Sequence, residues 1–206
     1  GIMNHQGALA VIDSTISGNR ASTRGGGIYN RDGGTASVSG TTVIGNSSSY
    51  NSGGGISNSD SGTLTVTDST ISGSSARSGG GIYSDSELTV ANSTISDNFT
   101  LVHPGGGQGG GIFASGPLTV TSSTVSGNTA GREGGGIALY LDEVDDRVEI
   151  RNATIANNRS NHLTGSSGGG ISRVDQVNGT LILEHTIVAQ NIVFQGAPDI
   201  DGQAFA

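Results

Sequence analysis

The chain has 206 residues, of which 37 are glycine, 13% are charged, 4% are aromatic and none is cysteine or tryptophan. Nine arginines against seventeen acidic residues leave a net charge of −8, which supplies no basic footprint for nucleic acid. Without cysteine there are no disulfides, thiolate metal sites or thiol catalysis, the scarcity of aromatic residues restricts any core to thin aliphatic packing, and no apolar run approaches the ~20 residues of a membrane span.

Gly1-Ile2-Met3 opens the chain with the ending of a motif that then returns throughout. Gly-Gly-Gly-Ile stands at 25–28, 53–56, 79–82, 109–112, 134–137 and 168–171. The isoleucines Ile2, Ile28, Ile56, Ile82, Ile112, Ile137 and Ile171 are spaced by 26, 28, 26, 30, 25 and 34 residues. A period in this range predicts a solenoid. Because the chain opens inside a repeat, residues 1–206 are expected to form one β-helix domain cut from a longer protein.

Behind each glycine motif comes a stretch of alternating apolar and polar residues such as Leu64-Thr65-Val66-Thr67, then a third such as Ser69-Thr70-Ile71-Ser72. Period-2 alternation signals half-buried strands. Aligned copies give three further apolar columns: Leu9, Ala36, Leu64, Leu88, Leu118, Val148, Leu181; Val11, Val38, Val66, Val90, Val120, Ile150, Leu183; and Ile16, Val43, Ile71, Ile95, Val125, Ile155, Val188. The expected fold class is all-β: a single-stranded parallel β-helix of about seven coils with three short strands per coil. Stacking at ~4.8 Å makes it roughly 34 Å long. No segment has the 3.6-residue period of a leucine-rich, helix-bearing solenoid.

Two polar columns mark the corners. Asp13, Gly40, Asp68, Asn92, Ser122, Asn152 and His185 stand between the second and third strands, and most are turn formers. Asn19, Asn46, Ser74, Asn98, Asn128, Asn158 and Asn191 follow the third strand. Asparagine tolerates left-handed backbone, and its amide can bond along a stack of its own kind.

The pairing of Gly-Gly-X-Ile with apolar-X-X-Asn, as in Ile16-Ser17-Gly18-Asn19 and Val125-Ser126-Gly127-Asn128, resembles the repeats of polymorphic outer-membrane proteins. It is also similar to the wider class of right-handed β-helix repeat proteins on bacterial surfaces, distantly like the pectate-lyase superfamily. The resemblance runs from residue 1 to about 191, with Ile or Val where the first group usually has Phe. It implies a right-handed helix and an extracellular or cell-surface protein, often adhesive.

Charge falls on two corners. Arg20, Arg24, Arg77, His103, Arg132, Arg159 and His162, with the acid Glu133, lie in the loops that lead into the glycine motif. Asp32, Asp60, Asp85, Glu87, Asp142, Glu143, Asp145, Asp146 and Asp175 lie in the loops that leave it. A basic and an acidic edge are therefore expected, suited to side-by-side packing of rods. Open coil ends, with unpaired strand edges, suit end-to-end association.

His103 and His162 occupy long loops two coils apart, about 10 Å at the coil spacing, with Arg132 and Glu133 between. These four residues are the candidate site for a carbohydrate or anionic ligand, or for a cell-surface receptor. Asp142, Glu143, Asp145 and Asp146 form the densest carboxylate group and the one calcium candidate, although the EF-hand glycine and final glutamate are missing. No other cofactor is expected.

Outward strand positions are mostly Thr, Ser, Ala or Gly, so catalysis is not expected; Glu149, Arg151 and Glu184 read as a cross-strand ion pair. Thr15, Thr42, Thr70, Thr94, Thr124 and Thr154 form one outward file. Such an array is similar to the ice-contacting faces of β-helical antifreeze proteins, and threonine also simply suits exposed strands. Tyr29, Tyr83 and Phe113 give the first strand an aromatic stripe that could receive a glycan ring or stack within the sheet. The resulting expectation is a non-catalytic extracellular stalk, adhesin or filament subunit, with carbohydrate-binding, carbohydrate-cleaving and ice-binding β-helices as alternatives.

Overall fold

A computed structural model describes residues 1–101, 106–141, 146–161, 168–173, 179–194 and 197–201. Every paired strand among them runs parallel to its neighbours, in four sheets of eight, seven, seven and seven strands, and no described residue is helical. The first sheet comprises Ile2–His5, Ile28–Arg31, Ile56–Asn58, Ile82–Ser84, Ile112–Ala114, Ile137–Leu139, Ile171–Arg173 and Ile200–Asp201. Its register pairs each repeat isoleucine with the next, from Ile2↔Ile28 through Ile137↔Ile171 to Ile171↔Ile200. The one-per-coil isoleucine is therefore a single stack, as its spacing predicts.

The other three apolar columns are equally continuous. Leu64 pairs with Ala36 and Leu88, Val66 with Val38 and Val90, and Ile71 with Val43 and Ile95. Side chains alternate across a strand, so every second residue enters the interior. Ile56, Leu64, Val66 and Ile71 are all fully buried in one coil. Each such aliphatic side chain stabilises the fold by ~1.5–3 kcal/mol relative to exposure, which makes the stacked columns the principal source of stability.

A fourth strand completes each coil where three were expected. Arg20–Ala21, Ser47–Ser48, Ser75–Ala76, Phe99–Thr100, Thr129–Ala130, Arg159–Ser160 and Ile192–Val193 form this last sheet. Two residues are too few to show alternation, so the strand is silent in the sequence and emerges only because neighbouring coils lie in register.

The corners are built from backbone conformation and stacked polar groups. Asp13, Gly40, Asp68, Asn92, Ser122, Asn152 and His185 all have positive φ, between 46° and 57°. The residue after each turns a hydroxyl inward: the Thr41 N–H donates to Ser69 Oγ at 3.0 Å, and the Ser69 N–H to Ser93 Oγ at 3.1 Å. Ala153 interrupts that file. At the next corner the left-handed residue is the one preceding the asparagine column, for example Gly45 (φ 64°), Asp97 (φ 57°) and Gly127 (φ 67°). The asparagines therefore do not supply the turn, as their backbone tolerance suggested; they supply the ladder. Asn128 Nδ2 donates to Asn158 Oδ1 (3.0 Å) and to the Ile95 carbonyl (2.9 Å), and Asn158 repeats both bonds on Asn191 and Val125. Asp199 accepts from Asn191 N and Nδ2 at 3.2 and 3.0 Å, capping the ladder where no further asparagine follows.

A second amide ladder lies inside the first sheet. Asn4 Nδ2 donates to Asn30 Oδ1 and Asn30 Nδ2 to Asn58 Oδ1, both at 2.7 Å, and Asn58 Nδ2 reaches Ser84 Oγ at 3.0 Å. Each amide also closes the turn beneath it, as when Asn30 Nδ2 donates to the Gly34 carbonyl at 2.7 Å. Beyond Ser84 the same position holds Ala114 and Leu139, both fully buried, and the interior there is apolar.

Candidate functional site

The outer face of the first sheet carries Met3, Tyr29, Ser57, Tyr83, Phe113, Ala138 and Ser172 in one register file. Tyr83 and Phe113 occupy adjacent coils, and their rings stack with centroids 5.0 Å apart and planes 5° from parallel. Tyr140 extends the row, its ring 5.1 Å from that of Phe113 at 33°. The sequence stripe of Tyr29, Tyr83 and Phe113 thus becomes a stack that Tyr29 does not join, because Ser57 separates Tyr29 from Tyr83. Ser57 Oγ is buried with no hydrogen-bond partner.

A polar wall faces the aromatic row across the glycine backbone. Arg24, Ser52, Ser78, Gln108 and Glu133 each immediately precede a glycine triplet. Backbone bonds lock successive coils: Gly53 N donates to Ser78 O (3.0 Å), Gly79 N to Gln108 O (3.0 Å) and Gly109 N to Glu133 O (2.9 Å). Glycine is required here because a Cβ on Gly110 would meet the Gly135 carbonyl oxygen at 2.4 Å. The two walls enclose a groove of about 370 Å³, into which Arg77, Ser78, Gln108, Tyr83, Phe113 and Tyr140 project, with Tyr50, Asn51 and Ser52 at one end.

Hydrogen bonds tie the walls together. Gln108 Nε2 donates to the Tyr140 hydroxyl at 3.2 Å, and that hydroxyl donates to Glu133 Oε2 at 3.3 Å. Burial, with the Glu133 carboxylate beside it, pushes the Tyr140 phenol up to about 12. Burial and Asp85 also raise Tyr83 above the ordinary tyrosine range. Both rings are therefore neutral throughout the physiological range; each lies against Phe113, leaving its edge and un-ionised hydroxyl to the groove. Arg24 leaves the wall and crosses towards the acidic edge, donating to Ser59 Oγ at 3.0 Å and lying 3.7 Å from Asp60.

The residues singled out in the sequence fare unevenly. Arg132 and Glu133 are neighbours of this groove, but Arg132 lies 3.9 Å from Glu133, and Glu133 is almost wholly buried beneath Tyr140. His103 and His162 lie outside the described residues, as do Asp142, Glu143 and Asp145 of the calcium candidate; Asp146 is buried. Among the described residues no three His, Cys, Asp or Glu side chains cluster as metal ligands. The threonines Thr15, Thr42, Thr70, Thr94, Thr124 and Thr154 do pair in register along the third sheet, while the file beside them contains Ile44 and Ala156. Glu149, Arg151 and Glu184 form the expected ion pairs on the second sheet, with Arg151 2.9–3.0 Å from both carboxylates.

Tyr140 and the wall residues Ser52, Ser78 and Gln108 escaped the sequence reading. The one available signal was the constant position before each glycine triplet, which places five polar side chains in one file. Chemically, the groove offers an apolar row of packed rings with hydroxyl and amide groups opposite them. The residues that line it include no pair of carboxyl groups of the kind glycoside hydrolysis uses, ~5–9.5 Å apart. A second hollow of about 600 Å³ over the fourth sheet, lined by Asp97, Phe99, Leu101, Thr129 and Asn161, has no stacked ring system.

No curated protein and no solved structure matches the chain. A family model described as a right-handed β-helix region matches residues 2–193, which agrees with the four parallel sheets and with the hand that parallel crossovers adopt. On that match, covering nearly the whole sequence, the chain belongs to the right-handed β-helix family.

Proposed function

We propose that the chain is an extracellular, non-catalytic β-helix that adheres by holding a carbohydrate chain in the groove on its first sheet. The observation that carries this reading is the row Tyr83–Phe113–Tyr140, set parallel to the helix axis and opposed by Ser52, Ser78 and Gln108. Sugar rings have one apolar face and a rim of hydroxyls, and this groove has one aromatic wall and one polar wall. The repeats' resemblance to those of surface-exposed β-helix proteins supports the extracellular setting. Side-by-side association of rods would bring several grooves together and raise avidity without new contacts.

The test is affinity electrophoresis against a panel of soluble polysaccharides. The native chain is expected to be retarded by at least one polymer, and Tyr83→Ala to lose about tenfold in affinity while keeping its circular dichroism spectrum. Equal retardation of the native chain and Tyr83→Ala would remove the groove from the account.

A further inference from the structure

Resting on the carbohydrate-binding reading, we infer that Arg77 makes the groove selective for saccharides that carry an anionic substituent, a carboxylate or sulfate, over neutral ones. Arg77 stands at the wall position next to Ser78 and projects into the groove with Tyr83 and Phe113. Its guanidinium lies over the ring of Tyr50, 5.9 Å from the centroid, which orients the planar fork without using its N–H donors.

Three other arginines near the first sheet have carboxylate partners. Arg24 lies by Asp60, Arg31 bonds Asp32, and Arg132 lies by Glu133. Arg77 has no carboxylate partner among the described residues. In a chain of net charge −8, Arg77 brings positive charge into a partly enclosed groove whose lining residues include no carboxylate. Glu133, which does not line the groove, is held under Tyr140 and beside Arg132, so it does not face an incoming anion openly. Guanidinium binds carboxylate and sulfate oxygens with two parallel N–H bonds, and a ring stacked on Tyr83 would carry such a substituent towards Arg77.

The experiment presents the native chain to matched neutral, uronic and sulfated oligosaccharides immobilised at equal density. Retention of the anionic members is expected to exceed that of their neutral counterparts by about tenfold, and to weaken with added salt. Arg77→Gln is expected to erase the difference, with retention of the neutral members as the reference against which any general loss of binding is read. Arg20→Gln, on an exposed arginine away from the groove, is expected to preserve the preference. A charge preference that survives in Arg77→Gln, or its absence in the native chain, would overturn the role of Arg77 while leaving carbohydrate binding intact. Failure of every oligosaccharide to bind would overturn both readings, and a preference for sulfate alone or carboxylate alone would tell which anion the fork accepts.

Discussion

The first sheet is two different structures joined at Ser84. In the earlier coils its inner face carries the amide ladder Asn4–Asn30–Asn58, and its outer face is crossed by Arg24 on its way to Asp60. In the later coils the inner position is Ala114 and then Leu139, and the outer face carries the stacked rings of the groove. The amides bond the turn that follows each strand, as Asn58 Nδ2 does at the Gly62 carbonyl (3.0 Å). With Leu139 in that place no side-chain amide closes the turn. The alternation continues through Tyr140 to Leu141, which is fully buried, and Tyr140 is thereby delivered to the outside. In the later coils an apolar interior thus coincides with the outer aromatic row.

Exchanging the two interiors gives the largest expected effect. Leu139→Asn loses a buried aliphatic side chain and strands an amide, costing about 4 kcal/mol. Asn58→Leu orphans the Gly62 carbonyl and removes one bond each from Asn30 Nδ2 and the Glu87 carbonyl, costing about 3 kcal/mol. Urea midpoints measure both, and a shift below about 1 kcal/mol in either would show that the halves are interchangeable.

A second contrast is ionisation at the groove. The Tyr140 phenol is held up to about 12 in the fold against about 10 in an unfolded chain. Its folded pKa is raised, so its contribution to stability is complete below pH ~10 and is lost as pH rises from there towards ~12. The urea midpoint of the native chain is expected to be flat below that window and to fall through it, and Tyr140→Phe to fall less steeply. Identical slopes would show that Tyr140 is not shielded.

The smallest effect is expected far from either half of the first sheet. Thr70→Val, in the outward threonine file of the third sheet, should change stability by no more than about 0.5 kcal/mol. A larger loss would mean that the threonine hydroxyls support the fold.

How much could be read in advance follows from periodicity. Ile28, Ile56 and Ile82 recur once per coil, so the stack, the sheet order and the turn at Asp13, Asp68 and Asn92 were legible, whereas the left-handed backbone was expected of the asparagine column instead. The amide ladder was present as Ile2-Met3-Asn4, Ile28-Tyr29-Asn30 and Ile56-Ser57-Asn58, but it stops after three coils and so never formed a full column. The groove was the least legible part. Tyr83 and Phe113 sit at repeat positions and could be picked out, whereas Tyr140 lies three residues past Ile137 and Arg77 is on a loop whose length changes from coil to coil. Sequence reasoning drew the ligand site around His103, Arg132, Glu133 and His162, where charge gathered, and noted the aromatic stripe without Tyr140 or the polar wall opposite it.

The asparagine corner has one more consequence. From Asn98 to Asn128, Asn158, Asn191 and finally Asp199, each side-chain amide donates to the oxygen of the next side chain in one constant sense along the rod, its carbonyl facing back. Aligned amide dipoles add, leaving partial positive charge at the donor terminus, and there an acidic group sits. The solenoid therefore has an electrical sense of direction independent of its formal charges, and a repeat inserted backwards or out of phase would break the current of bonds at two junctions at once.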